Sequence, residues 1–130
     1  MSAPHEFRKH YSLAEARALL PSLRLWLAEL RLLQRQLDGS GERTAELLAE
    51  GRDLGGERVN KPLRSMARVQ ELLAELSTRE LQLKDLDRGL VDFPSLRGDR
   101  EVFLCWEDGE DDIEFWHDLE TGFAGRERLE

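Results

Sequence analysis

The chain has 130 residues, 40% of them hydrophobic and 35% charged, and a net charge of −8. That length supports one globular domain, residues 1–130, with a modest core. The negative charge opposes a nucleic-acid backbone, and no basic, aromatic-bearing patch offsets it. A lone cysteine excludes an internal disulfide framework and suits a reducing compartment. Even the leucine-rich stretch Leu19–Leu33 is broken by Pro21, Arg24, Glu29 and Arg31, which excludes a membrane-spanning helix there. Met1–Glu6 has no apolar run behind a basic cluster, so no secretory signal is read. These features predict a cytoplasmic protein that partners neither membrane nor nucleic acid.

Residues 1–10 form a polar tail, expected to be loosely held. Ser12 then opens a helix with a capping box, in which Ser12 accepts from the first turn and Glu15 reaches back to the Ser12 amide. Tyr11 or Phe7 supplies the apolar residue that staples this start. Leu19, Leu20, Leu23, Trp26, Leu27, Leu30, Leu33 and Leu37 recur at spacings of three and four, one helical stripe. Pro21 lacks a backbone donor and predicts a kink or a restart. Asp38-Gly39-Ser40-Gly41 is expected to end the helix. Glu42–Gly51 adds a short helical stretch, and Gly51–Asn60 reads as the weakest ordered part. A last helix runs from about Asn60 to Glu80, capped by Asn60 with Pro62 in its first turn and a seam of Leu63, Met66, Val69, Leu73 and Leu76. Residues 11–82 thus form a long antiparallel helical hairpin with a glycine-broken connection at 38–60. Its stripe is wider than two helices can cover. The excess needs the C-terminal module, a second chain, or both, and a homo-oligomer, a dimer formed through the helices, is expected.

The charge balance changes after Leu83, from 13 Lys/Arg against 12 Asp/Glu to 6 against 15. Residues 83–130 read as an acidic β module. Leu90–Phe93 is a strand that Pro94 ends or confines to an edge. Arg97-Gly98-Asp99 turns the chain, and Glu101–Glu107 and Asp112–Asp118 are the arms of a hairpin about Asp108-Gly109. The fold class is therefore α+β, a long antiparallel helical hairpin followed by a small antiparallel sheet of two to three strands.

A two-residue loop pairs Leu104 with Ile113, and a four-residue loop pairs it with Phe115. Both put Val102, Leu104, Trp106, Ile113, Phe115 and His117 on the core face, and Phe103, Cys105 and Trp116 on the outer face. Cys105 and His117 then point apart, which excludes a Cys–His dyad or metal pair within the hairpin. The spacing also fits no zinc motif. Cys105 reads as inert, its pKa raised by Glu107, Asp112 and Glu114. Phe103 and Trp116, two aromatics on an outer face, mark an interaction surface.

Several segments together resemble a known family: Leu83-Lys84-Asp85-Leu86-Asp87-Arg88-Gly89-Leu90-Val91-Asp92-Phe93-Pro94, Leu104-Cys105-Trp106 with Gly109-Glu110, Trp116-His117, and Gly122-Phe123-Ala124-Gly125-Arg126. With Ser12-Leu13-Ala14-Glu15-Ala16 and Leu19-Leu20-Pro21 at the start, they are similar to the uncharacterised bacterial domain family numbered 2203. The resemblance covers nearly the whole chain. It implies a small stand-alone bacterial protein of helices plus a short β region, and it supplies no function. The acidic run Glu110-Asp111-Asp112 is denser than the resemblance leads one to expect and suggests a solvated turn.

Asp85, Asp87 and Asp92 admit two readings. They could hold a divalent cation, Mg²⁺ or Ca²⁺, or form turns by bonding nearby amides. The turn reading is preferred, because calcium-loop spacing is missing. His117 reads as a packing residue. It gains a role as ligand or base if Asp87 or Asp92 lies beside it. Arg126 either presents a guanidinium to an anion or pairs with Asp85, Asp87 or Asp118. The first functional reading is a non-enzymatic interaction or assembly protein. Its alternative is a small-ligand or divalent-metal site built from Asp85, Asp87, Asp92, His117 and Arg126.

Overall fold

The computed structural model describes residues 4–49, 51 and 57–129, with side chains for all of these except 40–49 and 57–59. Two helices, α1 (Leu13–Ala49) and α2 (Glu57–Thr78), precede five strands: β1 (Gln82–Asp85), β2 (Leu90–Arg97), β3 (Arg100–Glu107), β4 (Phe115–Asp118) and β5 (Glu127–Arg128). The strands form one antiparallel sheet in the order β1-β2-β3-β4-β5. The α+β class stands, but the sheet has five strands rather than two or three. The two additions, β1 and β5, are short, charge-bearing edge strands with too few residues to display an alternating pattern.

The predicted capping box is formed: Glu15 N donates to Ser12 Oγ at 3.1 Å and Ser12 N to Glu15 Oε1 at 2.9 Å. Helix α1 then runs through Pro21 without restarting and through Gly39 to Ala49. The expected termination at residues 38–41 is corrected, and the connection between the helices is shorter than 38–60. Glycine in a helix interior costs only about 1 kcal/mol, and the flanking Gln, Arg, Leu and Glu are good helix formers. The seam of α2 is also rotated from the expected one. Leu72 and Leu76 are buried and Val69 half-buried, whereas Leu63, Met66 and Leu73 are exposed. Helix α2 ends with Leu81 N on Leu76 O and Glu80 N on Ser77 O, and Glu80 takes a positive φ of 58°. This is a Schellman ending with glutamate where glycine is usual.

Leu20, Leu23, Leu27 and Leu30 of α1 pack with Leu72 and Leu76 of α2 on one sheet face, against Val91, Phe93, Leu104 and Trp106. Three arginines of α1 spaced seven apart, hence two turns apart on one side, hold the loops at the sheet's end. Arg17 donates to Ile113 O (2.9 Å), Arg24 to Asp111 O (3.1 Å), and Arg31 to Leu86 O (3.0 Å) and Asp108 Oδ2 (2.9 Å). The acidic run is thus gripped by α1 rather than left as a solvated turn.

Pro94 does not end β2, which continues to Arg97. Beyond Asp92 the strand has no β1 partner, and Pro94 O accepts from Tyr11 N at 2.7 Å on that open side. A strand residue's N–H and C=O point the same way, so the donor proline lacks would not have faced β3. The tail is likewise not loosely held. The Glu101 carboxylate accepts from the amides of Glu6 and Phe7 (2.8 and 2.9 Å), and the Glu80 carboxylate from those of Arg8 and Lys9 (3.0 and 3.1 Å). Two carboxylates thereby take four consecutive amides, those of residues 6–9, from a segment that is polar apart from Phe7.

Candidate functional site

The β3–β4 connection decides what the second face of the sheet contains. The Asp108-Gly109 turn closes as expected, with Glu110 N on Glu107 O at 3.0 Å. The chain then leaves the ladder. Ile113 drops into the core, its carbonyl held by Arg17, and pairing resumes only at Phe115, opposite Cys105. Leu104 faces Trp116 and Phe103 faces His117. This register is displaced by an odd number from both expected ones, and a one-residue slip exchanges the faces of a strand. Phe115 and His117 therefore share the face of Cys105, and the expectation that imidazole and thiol point apart is overturned.

Asp92 of β2 pairs with Cys105 of β3, and His117 lies diagonally across on β4. All three are buried, and ligand atoms of Asp92, Cys105 and His117 lie within 4.8 Å of one another. His117 Nε2 is 3.0 Å from Asp92 Oδ2, and Nδ1 is 2.6 Å from Asp118 O. A carbonyl only accepts, so Nδ1 carries the hydrogen; Nε2 of the neutral ring is then a bare lone pair facing a carboxylate oxygen. Two acceptors at that distance need a proton or a cation between them. Asp92 Oδ1 is buried without a hydrogen-bond partner. Burial, reinforced by Asp92 and opposed by Arg126, pushes the Cys105 thiol up to about 12. By itself it is no nucleophile. The causes are burial first and Asp92 second, not the Glu107, Asp112 and Glu114 expected from sequence.

A pocket of about 300 Å³ opens over Asp92 and His117, walled by Leu90, Phe103, Leu119 and Phe123, with Lys84 and Glu120 also contributing. Lys84 Nζ stands 5.6 Å from the Phe103 ring centroid, so the pocket pairs apolar walls with one cation.

The structure divides the residues proposed from sequence. Asp92 and His117 come together. Arg126 is bidentate to Glu110 (3.1 and 2.8 Å), not to Asp85, Asp87 or Asp118, and it stacks on Phe115 and Phe123 at 3.9 and 4.1 Å. It borders the cluster through Cys105. Asp85 accepts from Arg88 N at 3.0 Å, which is the turn chemistry preferred from sequence, and Asp87 is exposed. Neither joins a cluster of metal-ligating groups among the described residues. The surface assigned to Phe103 and Trp116 is corrected. Phe103 is 5% exposed, against Phe7 and His117, while Trp116 lies on the opposite face beneath Arg97. Cys105, Lys84 and Phe123 were not read as site residues. The clue to Cys105 was Ile113, an apolar residue free to leave the strand and shift the register.

These features define a small α+β protein with an acid–imidazole–thiol cluster buried beneath a pocket on the sheet face opposite the helices. No curated protein and no solved structure matches the chain. The chain belongs to the uncharacterised conserved protein family DUF2203, which it matches over residues 9–129.

Proposed function

We propose that this is a binding protein whose site is the pocket over Asp92 and His117, occupied by a small ligand or a divalent cation. The observation that carries this reading is the buried Asp92–His117 contact at the pocket wall, with Asp92 Oδ1 left unmet. Burying a carboxylate oxygen with no partner is costly, so a bound group that completes it adds stability. The test is thermal melting of the wild type with Mg²⁺, Ca²⁺, Zn²⁺ and a panel of small carboxylates and phosphates. A ligand at 100 times its dissociation constant stabilises by about 2.7 kcal/mol. At least one compound raises the wild-type midpoint and leaves His117→Gln unmoved. No shift with any of them would reduce the pair to a structural contact.

A second reading, self-association through the helices, is supported by the leucine surplus on their outer side. Leu25 is 72% exposed and Leu32 48%, seven residues apart on α1, and Leu63, Met66 and Leu73 are exposed on α2. The occupant that fits is a second copy of the chain. Sedimentation giving a monomer at micromolar concentration would end this reading. The helices themselves are read as an antiparallel hairpin, supported by Arg68 on Glu29 (2.7 Å) and Arg79 over Trp26 (5.2 Å). A cytoplasmic location suits the free buried thiol. Among the described residues no helix is long and apolar enough to cross a membrane.

A further inference from the structure

The geometry points to Asp92, Cys105 and His117 as the three protein ligands of one divalent transition-metal ion of the zinc class, with its fourth position turned to the pocket. This rests on the pocket being the binding site and names the ion and the donors. The three residues come from three adjacent strands, β2, β3 and β4, and share one face by register. Their donor atoms lie within 4.8 Å of one another. A tetrahedral ion with bonds of about 2.0–2.3 Å holds its donors roughly 3.5 Å apart. The 3.0 Å contact between Nε2 and Asp92 Oδ2 therefore opens slightly and any wider separation to the sulfur closes, shifts that side-chain rotation supplies.

Each donor is prepared in its own way. His117 Nδ1 faces the Asp118 carbonyl, the outer contact that fixes a ligating imidazole and leaves Nε2 free to bind. With the ring neutral, Nε2 and Asp92 Oδ2 are two acceptors at 3.0 Å, a contact that an ion between them resolves in place of a proton. Asp92 Oδ1 has no other partner. A carboxylate, a thiolate and a 2+ ion sum to zero charge, which a buried site tolerates better than a lone carboxylate. Binding expels the thiol proton and forms the sulfur–metal bond, as metals do with coordinating thiols.

The donor set selects the ion. Mg²⁺ and Ca²⁺ want six or more oxygens, whereas sulfur with nitrogen and one carboxylate suits zinc and its neighbours. Three protein ligands leave a coordination position for water or a small anion. Asp92 and His117 line the pocket, so that position opens there, near Lys84.

The test uses the full chain, cleared of metal by chelator and titrated with Co²⁺ and Zn²⁺. One equivalent of Co²⁺ is expected to give a thiolate-to-cobalt charge-transfer band with the strong visible bands of a four-coordinate ion. Zn²⁺ displaces it and raises the melting midpoint. Cys105→Ser loses the charge-transfer band. His10→Ala keeps it, which separates this site from His5, His10 and Glu101, the other cluster of suitable groups among the described residues. The wild-type spectrum decides even if a variant fails to fold. Cobalt bound without a thiolate band overturns the inference and leaves the pocket reading standing. A midpoint raised only by a metal-free small ligand does the same. No response to any metal or small ligand overturns both.

Discussion

The two faces of the sheet are both buried, but by different means. The helix-facing side is apolar throughout its centre, with Val91, Phe93, Leu104 and Trp106 under the leucines of α1 and α2. The opposite side carries Asp92, Cys105 and His117 among Leu90 and Phe103. Among the described residues no long helix covers it. The N-terminal tail lies there through Phe7 on Phe103, and the C-terminal segment contributes Leu119, Phe123 and Arg126. These short covers are held by directed polar contacts, Glu101 and Glu80 on tail amides and Glu110 on Arg126. Non-directional burial builds the first face, whereas hydrogen bonds of defined geometry close the second. The second is therefore where a pocket and titratable groups can coexist.

Substitutions sharpen this contrast. The largest effect is expected on the helix-facing side, where Phe93→Ala leaves a cavity beneath α1 and should cost about 3–5 kcal/mol in denaturant unfolding. A loss under about 1 kcal/mol would mean that this face does not dominate stability. Next comes Gly89, which has a φ of 66° and sits where an added Cβ would strike the Arg31 side chain and Asp108. Gly89→Ala should cost about 1–3 kcal/mol, and Arg31→Ala should not restore it, because the backbone strain and the Asp108 contact persist.

The smallest effect concerns the other face and pH. Burial raises Glu101, but the His10 ring and the Glu6 and Phe7 amides outweigh it and hold the carboxyl below its ordinary value of 4.5. A depressed carboxyl stabilises the fold above that value, and its contribution is lost as pH falls through the lower, folded one. The Glu6 and Phe7 amide resonances should therefore shift below pH 4.5, with the core resonances unmoved. In Glu101→Gln the same resonances should lose that titration. Tail and core moving together would contradict the idea of a separately clamped cover.

Much of this was legible in the residues. The capping box at Ser12 and Glu15, the α1 stripe, the α+β class, the Asp85 turn and the burial of Trp106 follow from patterns spanning a few residues, whereas His117 is buried on the face opposite the expected one. Two errors were local as well. Asp38–Gly41 looked like a helix end, and the α2 seam was drawn through Leu73 rather than Leu72, since several leucine spacings fit one helical period. The candidate site was half legible. Asp92 and His117 were named, and the condition that a carboxylate stand beside the imidazole is met. Cys105 was set aside because its face depends on strand register.

Periodicity, caps and composition thus determined the α+β class, the start of α1 with its buried stripe, and the existence of α2, β2, β3 and β4, because those properties depend on near neighbours in the chain. The tertiary structure alone decided the faces. Ile113 is drawn into the core and Arg17 and Arg24 hold the loop around it, so β4 rejoins the sheet one residue out of the expected phase. That single slip, enforced by contacts nearly a hundred residues apart, puts carboxylate, thiol and imidazole on one surface.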